Sequence, residues 1–156
     1  MTDGYREHDL GVLASRLLFA FQAELFDRLH AQGFDDIAPR HGGVLAHLRV
    51  EGVRATDLAR RSGQLKQVVG VIVDELEGLG YVERRPDPDD RRAKLVVPTG
   101  RGRAQMAAAT SIIAELMERQ AQQLGKREFA GFMSDFQRVV EHQRASAAGG
   151  AEAAGR

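Results

Sequence analysis

Cysteine is absent from this sequence of 156 residues. That excludes a disulfide framework, a thiolate zinc site and a thiol redox switch within the chain, and it fits a reducing compartment. Long apolar runs are also missing: no stretch approaches the roughly 18 apolar residues a membrane helix needs. The first ten residues, MTDGYREHDL, carry acids instead of the apolar stretch of a secretory signal. The expected compartment is therefore the cytoplasm. Catalytic signatures are lacking too, with no Walker loop, no HExxH and no Ser-His-Asp order. The five histidines, His8, His30, His41, His47 and His142, are scattered. His41 and His47 lie six apart, not at the i, i+4 spacing that puts two ligands on one helical face. Structural or surface roles are expected for them, with no metal, no cofactor and no enzymatic activity.

Net charge is the last absence: the formal sum is zero. Its distribution is uneven. Residues 1–51 hold 5 basic and 8 acidic side chains, residues 52–103 hold 11 and 8, and residues 104–156 hold 6 of each. Positive charge thus gathers in the middle third, as a polyanion-binding surface requires. The excess is modest, so affinity would rest on geometry and on pairing two copies. A hydrophobic content of 43% in a chain of this length supports one domain with a real core.

Leu10, Leu13, Leu17, Phe21, Leu25 and Leu29 recur at helical spacing and predict a long helix over 8–31, closed by Gly33. Leu18, Phe19 and Phe26 widen its apolar face, which predicts burial on two sides. Pro39 suits the first turn of a second helix running to about Val50, with Gly42–Gly43 allowing a close approach. Thr56 is the expected N-cap of a short helix over 57–61, and Ser62–Gly63 is a turn. A fourth helix over 65–79 should be buried through Val69, Ile72, Val73 and Leu76 and stopped by Gly80. Thr99 is expected to cap a fifth helix reaching about Leu124. A sixth follows Gly125, with Phe129, Phe132, Met133, Phe136, Val139 and Val140 on one face. From Ser146 the small-residue run SAAGGAEAAGR predicts a flexible tail.

The segment YVERRPDPDDRRAKLVVPTGRG, residues 81–102, is the most telling. Two apolar runs flank a turn built on Pro86, Pro88 and clustered aspartates, and Arg91, Arg92 and Lys94 follow within four positions. A basic hairpin directly after a helix-turn-helix implies a winged helix that reaches along a phosphate backbone. The expected fold is mainly α with a small β-hairpin. Residues 39–103 would form the winged helix-turn-helix, 8–38 and 104–145 dimerisation helices, and 146–156 the tail.

Residues 54–102 resemble the MarR family of bacterial transcription regulators. The resemblance is carried together by DLARRSG, LKQ, DELEGLGYVERR and DPDDRRAKLVVPT, over about a third of the chain. It implies a homodimer with interlocked terminal helices, recognition helices in successive major grooves and wings in adjacent minor grooves. It further implies a pseudo-palindromic operator on double-stranded DNA, and repression relieved by a small effector or by oxidation. Three positions depart from the family pattern. Leu65 stands where a capping hydroxyl is usual, Gly70 and Val71 where Thr and Arg are common, and Pro98 where Leu precedes the final Thr.

Lys66, Gln67, Val68, Gly70 and Val71 are the expected base-reading set. Gln67 can pair with adenine, Lys66 can reach guanine or phosphate, and the two valines can touch thymine methyls. In the wing, Asp90 and Arg92 are two apart, which on a strand places both on one side, so that the carboxylate holds the guanidinium. The resemblance places the family's Asp-x-Arg pair here as well. Arg91 or Arg92 is expected in the minor groove, with Arg85 and Lys94 adding charge. Arg54, Thr56 and Arg61 complete the expected DNA-contacting set. Phe19, Phe21, Phe26, His41 and Met106 are candidate lining for an effector cleft, with core packing as the competing role. The rival reading is a winged helix used for protein interaction after loss of DNA binding, which the lean recognition helix and zero net charge favour.

Overall fold

The computed structural model describes the backbone of residues 9–154 and the side chains of residues 9–147. Backbone packing divides the chain into two compact units, with the boundary after Ile112. Helix α1 spans Leu10–Ala31 and begins at Asp9, whose carboxylate accepts the Val12 amide at 2.8 Å. Position 8, where the sequence starts this helix, lies outside the described residues. Within α1 only Phe26 and Leu29 are buried; Leu10, Leu13, Leu17, Leu18 and Phe19 are exposed. The N-terminal half of its broad apolar face is therefore left uncovered.

The second helix is much shorter than expected. A 3-10 turn at Pro39–His41 leads into α2, Gly42–Leu45, and turns follow to Gly52. Two consecutive glycines carry the lowest helix propensity short of proline, so nothing sustains a helix to Val50. Gly43 instead lets the Gln64 side chain approach: a Cβ there would lie 3.0 Å from Gln64 Nε2.

Helix α3, Ala55–Ser62, starts two residues earlier than expected. Arg54 occupies the N-cap without a side-chain hydrogen bond, so Thr56 is not the cap but an exposed residue inside the helix. Gly63 adopts φ +70°, a left-handed conformation that glycine enters without a Cβ clash, and this turns the chain into the next helix. Helix α4 spans Lys66–Gly78 and buries Val69, Ile72, Val73 and Leu76. Each such aliphatic side chain contributes about 1.5–3 kcal/mol of burial.

The sheet has three strands, β1 (Val53–Arg54) just before α3, then β2 (Val82–Asp87) and β3 (Asp90–Pro98) after α4, in the antiparallel order β1-β3-β2. Strand β1 was not foreseen. It is only two residues long, with Val53 facing Val96 and Arg54 facing Leu95. Pro98 pairs with Val82 at the strand end, where the missing N–H does no harm.

Helix α5 runs from Gly100 to Leu124 and α6 from Lys126 to Ala154. In the second unit, Phe129, Phe132 and Phe136 form a ladder along α6 with centroid separations of 6.4 and 5.6 Å. The backbone of residues 146–154 is helical, where the sequence suggests an irregular tail. Alanine, the strongest helix former, dominates that run. Positions 155–156 lie outside the described residues.

Candidate nucleic-acid interface

At 100° per residue, the buried stripe of α4 faces inward and Gln67, Gly70, Val71 and Asp74 fall opposite it, with Lys66 and Val68 on the flanks. Gln67 and Lys66 are exposed, Val71 is 58% and Val68 44% exposed, and nothing lies within 4 Å of a Cβ built on Gly70. Leu65 holds the N-cap position without a side-chain hydrogen bond, so the first amides of α4 are not capped by a hydroxyl. Amides at a helix start are suited to phosphate oxygens.

The acids near this face are neutralised from behind. The Arg84 guanidinium donates to Asp74 Oδ1 at 2.6 Å and also to Glu77. Arg85, an expected contact, is exposed but ion-paired with Glu83 on its own strand.

The hairpin is irregular at its tip. Pro86 faces Lys94 while Asp87 faces Asp90, so β2 advances one residue where β3 advances four. Arg91, Arg92 and Ala93 are thereby left out of the ladder in a bulge that re-aims side chains. Arg91, Arg92 and Lys94 are all exposed. Among the described residues, no carboxylate lies within ion-pair distance of Lys66, Arg91, Arg92 or Lys94.

The expected side-chain clasp between Asp90 and Arg92 does not form. Asp90 Oδ1 accepts the backbone amide of Arg92 at 3.0 Å, because the bulge breaks the alternation that would have set the two side chains together. The ion pair that fixes the wing is a different one. Arg54 donates from Nε at 2.6 Å and from Nη2 at 2.5 Å to Oδ2 of Asp87, which is buried, while Asp87 Oδ1 accepts the Asp89 amide at 2.9 Å. The Asp89 amide, and then Arg54, hold the Asp87 carboxyl below the usual carboxylate range against its burial. Arg54, expected as a phosphate contact, is thus engaged in bracing the hairpin. No sequence spacing marks a pair 33 residues apart. Arg61 sits half-buried in the last turn of α3.

Two further networks position this surface. Tyr81, fully buried, donates its hydroxyl to Asp36 Oδ1 at 2.5 Å, and the Arg101 guanidinium lies 4.4 Å from the tyrosine ring centroid. Arg101 also donates to both Asp36 oxygens, at 2.9 and 3.1 Å, and to the Leu79 carbonyl at 2.8 Å. Burial works against the Asp36 charge, but the Tyr81 hydroxyl and Arg101 hold its carboxyl low. Burial and the Asp36 carboxylate push the Tyr81 phenol up. Beneath α4, Glu75 accepts from Arg40 at 2.9 Å and from Nε2 of His41 at 2.8 Å, and the two donors hold its carboxyl low. His41 is fully buried and its Nδ1 accepts the Ala38 amide at 2.9 Å. Both ring nitrogens are used structurally, so the histidine is not lining for a cleft. Phe26 is also core at 3% exposed, whereas Phe19 is 69% exposed; the five candidate lining residues do not share one environment.

Residues 35–93 match the sequence model of the MarR family. The curated "Uncharacterized HTH-type transcriptional regulator YcgE" of Bacillus subtilis (strain 168) is 43% identical over 44 residues, 28% of this chain and 29% of that protein's length. Among solved structures, CouR from Rhodococcus jostii RHA1 bound to p-coumaroyl-CoA superimposes with a TM-score of 0.70 at 27% identity, covering 85% of this chain and 92% of CouR. The transcriptional repressor CouR bound to a 23-mer DNA duplex gives a TM-score of 0.66 at 25% identity, covering 90% and 98%. A MarR transcriptional regulator from Methanosarcina mazei Go1 shares the fold, with a TM-score of 0.74 at 20% identity over 87% and 96% of the two chains. The matched proteins are regulators of transcription. The helix-turn-helix and most of the wing, within residues 35–93, thus match the model of the MarR family, and the fold is similar to that of CouR and of the Methanosarcina mazei regulator.

Proposed function

We propose that the chain acts as a homodimeric, sequence-specific DNA-binding repressor in the cytoplasm, at the nucleoid, and that a small-molecule effector releases it from a pseudo-palindromic operator. Residues 39–103 would be the reading domain, with 8–38 and 104–145 supplying the dimer. One observation carries this reading: Lys66, Arg91, Arg92 and Lys94 are exposed on the recognition helix and wing with no described carboxylate at ion-pair distance, while Asp74, Glu77, Glu83 and Asp87 are each neutralised by an arginine. A surface arranged in that way favours a polyanion.

The dimer is supported by exposed leucines and Phe19 on α1 and, separately, by exposed Phe132, Met133, Val139 and Val140 on α6. An isologous pairing would cover such faces and set two recognition helices about 34–36 Å apart. Solved forms of CouR with p-coumaroyl-CoA and with a DNA duplex support a small ligand and DNA as partners of this chain. Among the described residues no helix is long and apolar enough to cross a membrane. Gel shifts with genomic fragments at several salt concentrations test the proposal. Phosphate neutralisation requires log K to fall linearly with log salt; a chain that shifts no fragment at low salt is not a DNA-binding regulator.

A further inference from the structure

The reading face of α4 is unusually apolar for a solvent-facing helix. Leu65 is 74%, Val71 58% and Val68 44% exposed, and Gly70 contributes no side chain at all. Gln67 and Lys66 are the hydrogen-bonding side chains left in its first turns, because Asp74 is held by Arg84. An exposed apolar patch on an otherwise charged surface marks an interaction site. The charges around this patch select the occupant. Lys66 on the same helix and Arg91, Arg92 and Lys94 on the wing are unmatched cations among the described residues, so the patch is framed for phosphates instead of for an acidic-rimmed protein. Asp89 and Asp90 remain acidic only at the hairpin turn itself.

Within a framed major groove, one base-edge feature is apolar: the C5-methyl of thymine. Valine presents two methyls on a short, stiff stem, and the bare Gly70 allows the helix backbone to come down toward the groove floor. We infer that this chain recognises its operator chiefly by packing Val68 and Val71 against thymine C5-methyls, with Gln67 supplying the amide contact, so that half-site affinity depends on pyrimidine C5 methylation. This rests on the DNA-binding reading above and goes beyond it, because it names the chemical group that is read.

The test uses the full chain and a randomised duplex of about two helical turns. Enriched duplexes are resynthesised with deoxyuridine replacing thymine one position at a time. That substitution removes the methyl and leaves every hydrogen-bonding group in place. Binding is expected to weaken about four-fold for each methyl that is read, one methyl group's worth of burial, and to be unchanged when uracil lies outside the half-sites. The double variant Val68→Ser/Val71→Ser, with both positions exposed, is expected to keep the helical circular dichroism and the salt slope while binding thymine and uracil duplexes equally; each single variant should lose the discrimination at one position only. Wild-type protein that selects a sequence but does not distinguish uracil from thymine overturns the methyl reading and leaves the regulator standing. Salt-dependent binding with no enriched sequence also overturns it. Absence of any salt-dependent shift overturns both readings and turns the apolar patch into a protein-docking surface.

Discussion

Two glycines in this fold do opposite things. A Cβ at Gly102 would lie 2.0 Å from the Tyr81 carbonyl oxygen, a backbone atom that cannot swing aside. Gly102→Ala is expected to destabilise the chain by roughly 3 kcal/mol, as overpacking against a fixed neighbour does, read as a lower urea midpoint. A Cβ at Gly70 meets nothing within 4 Å. Gly70→Ala should therefore raise stability by about 0.5–1 kcal/mol, the helix-interior penalty of glycine, while weakening DNA binding if the backbone must approach the groove. A single substitution that moves fold and binding in opposite directions separates the two roles. Tyr81→Phe removes the hydroxyl donated to Asp36, although Arg101 still serves both carboxylate oxygens. The expected loss is about 1–2 kcal/mol, and equal urea midpoints for the two proteins would show the hydroxyl to be idle.

Among the elements, the wing has its own pH dependence. Asp87 carries a lowered carboxyl, so its contribution is fully present above the usual carboxylate range and is lost as pH falls through its own lower value. Asp87→Asn should remove that acid-limb sensitivity: hairpin amide protection factors, which take out the intrinsic slowing of exchange in acid, are expected to fall below about pH 4 in the parent chain and to stay level in the variant. The buried stripe of α4 and the hairpin with Pro98 at its exit were legible because each announces itself by local periodicity or turn chemistry. The brace between Arg54 and Asp87 was not, because residues 33 apart share no local pattern. Strand β1 was invisible for a related reason: two residues carry no period, and only pairing with β3 makes them a strand. The Asp90–Arg92 expectation failed on its premise, since two-residue alternation holds only in a regular ladder and the bulge begins there. The second helix was overdrawn by reading apolar spacing past Gly42–Gly43.

For the whole molecule, association and DNA binding should stand or fall together. Leu17→Glu on α1 or Phe132→Glu on α6 introduces a charge on a face that is about half exposed in the single chain. Sedimentation of either variant is expected to show a monomer with its circular dichroism intact, and gel shifts should weaken by at least an order of magnitude because the two half-sites are no longer engaged jointly. Arg91→Ala and Arg92→Ala are each expected to reduce the salt slope by about one per subunit, whereas Gln67→Ala should relax base preference with little change in slope. Equal losses for Gln67→Ala on cognate and scrambled duplexes would remove its specifying role. The hairpin is anchored next to its turn: Asp87, which faces Asp90 across the turn, is pinned by Arg54, while Arg91 to Ala93 sit outside the ladder just behind that pair. The bulged arginines are thus held between two fixed points, the pinned turn and the ladder that resumes at Lys94. A loop tethered on both sides offers its cations in one pose, so flanking base changes that alter minor-groove width under the wing should weaken binding even where no base edge is touched.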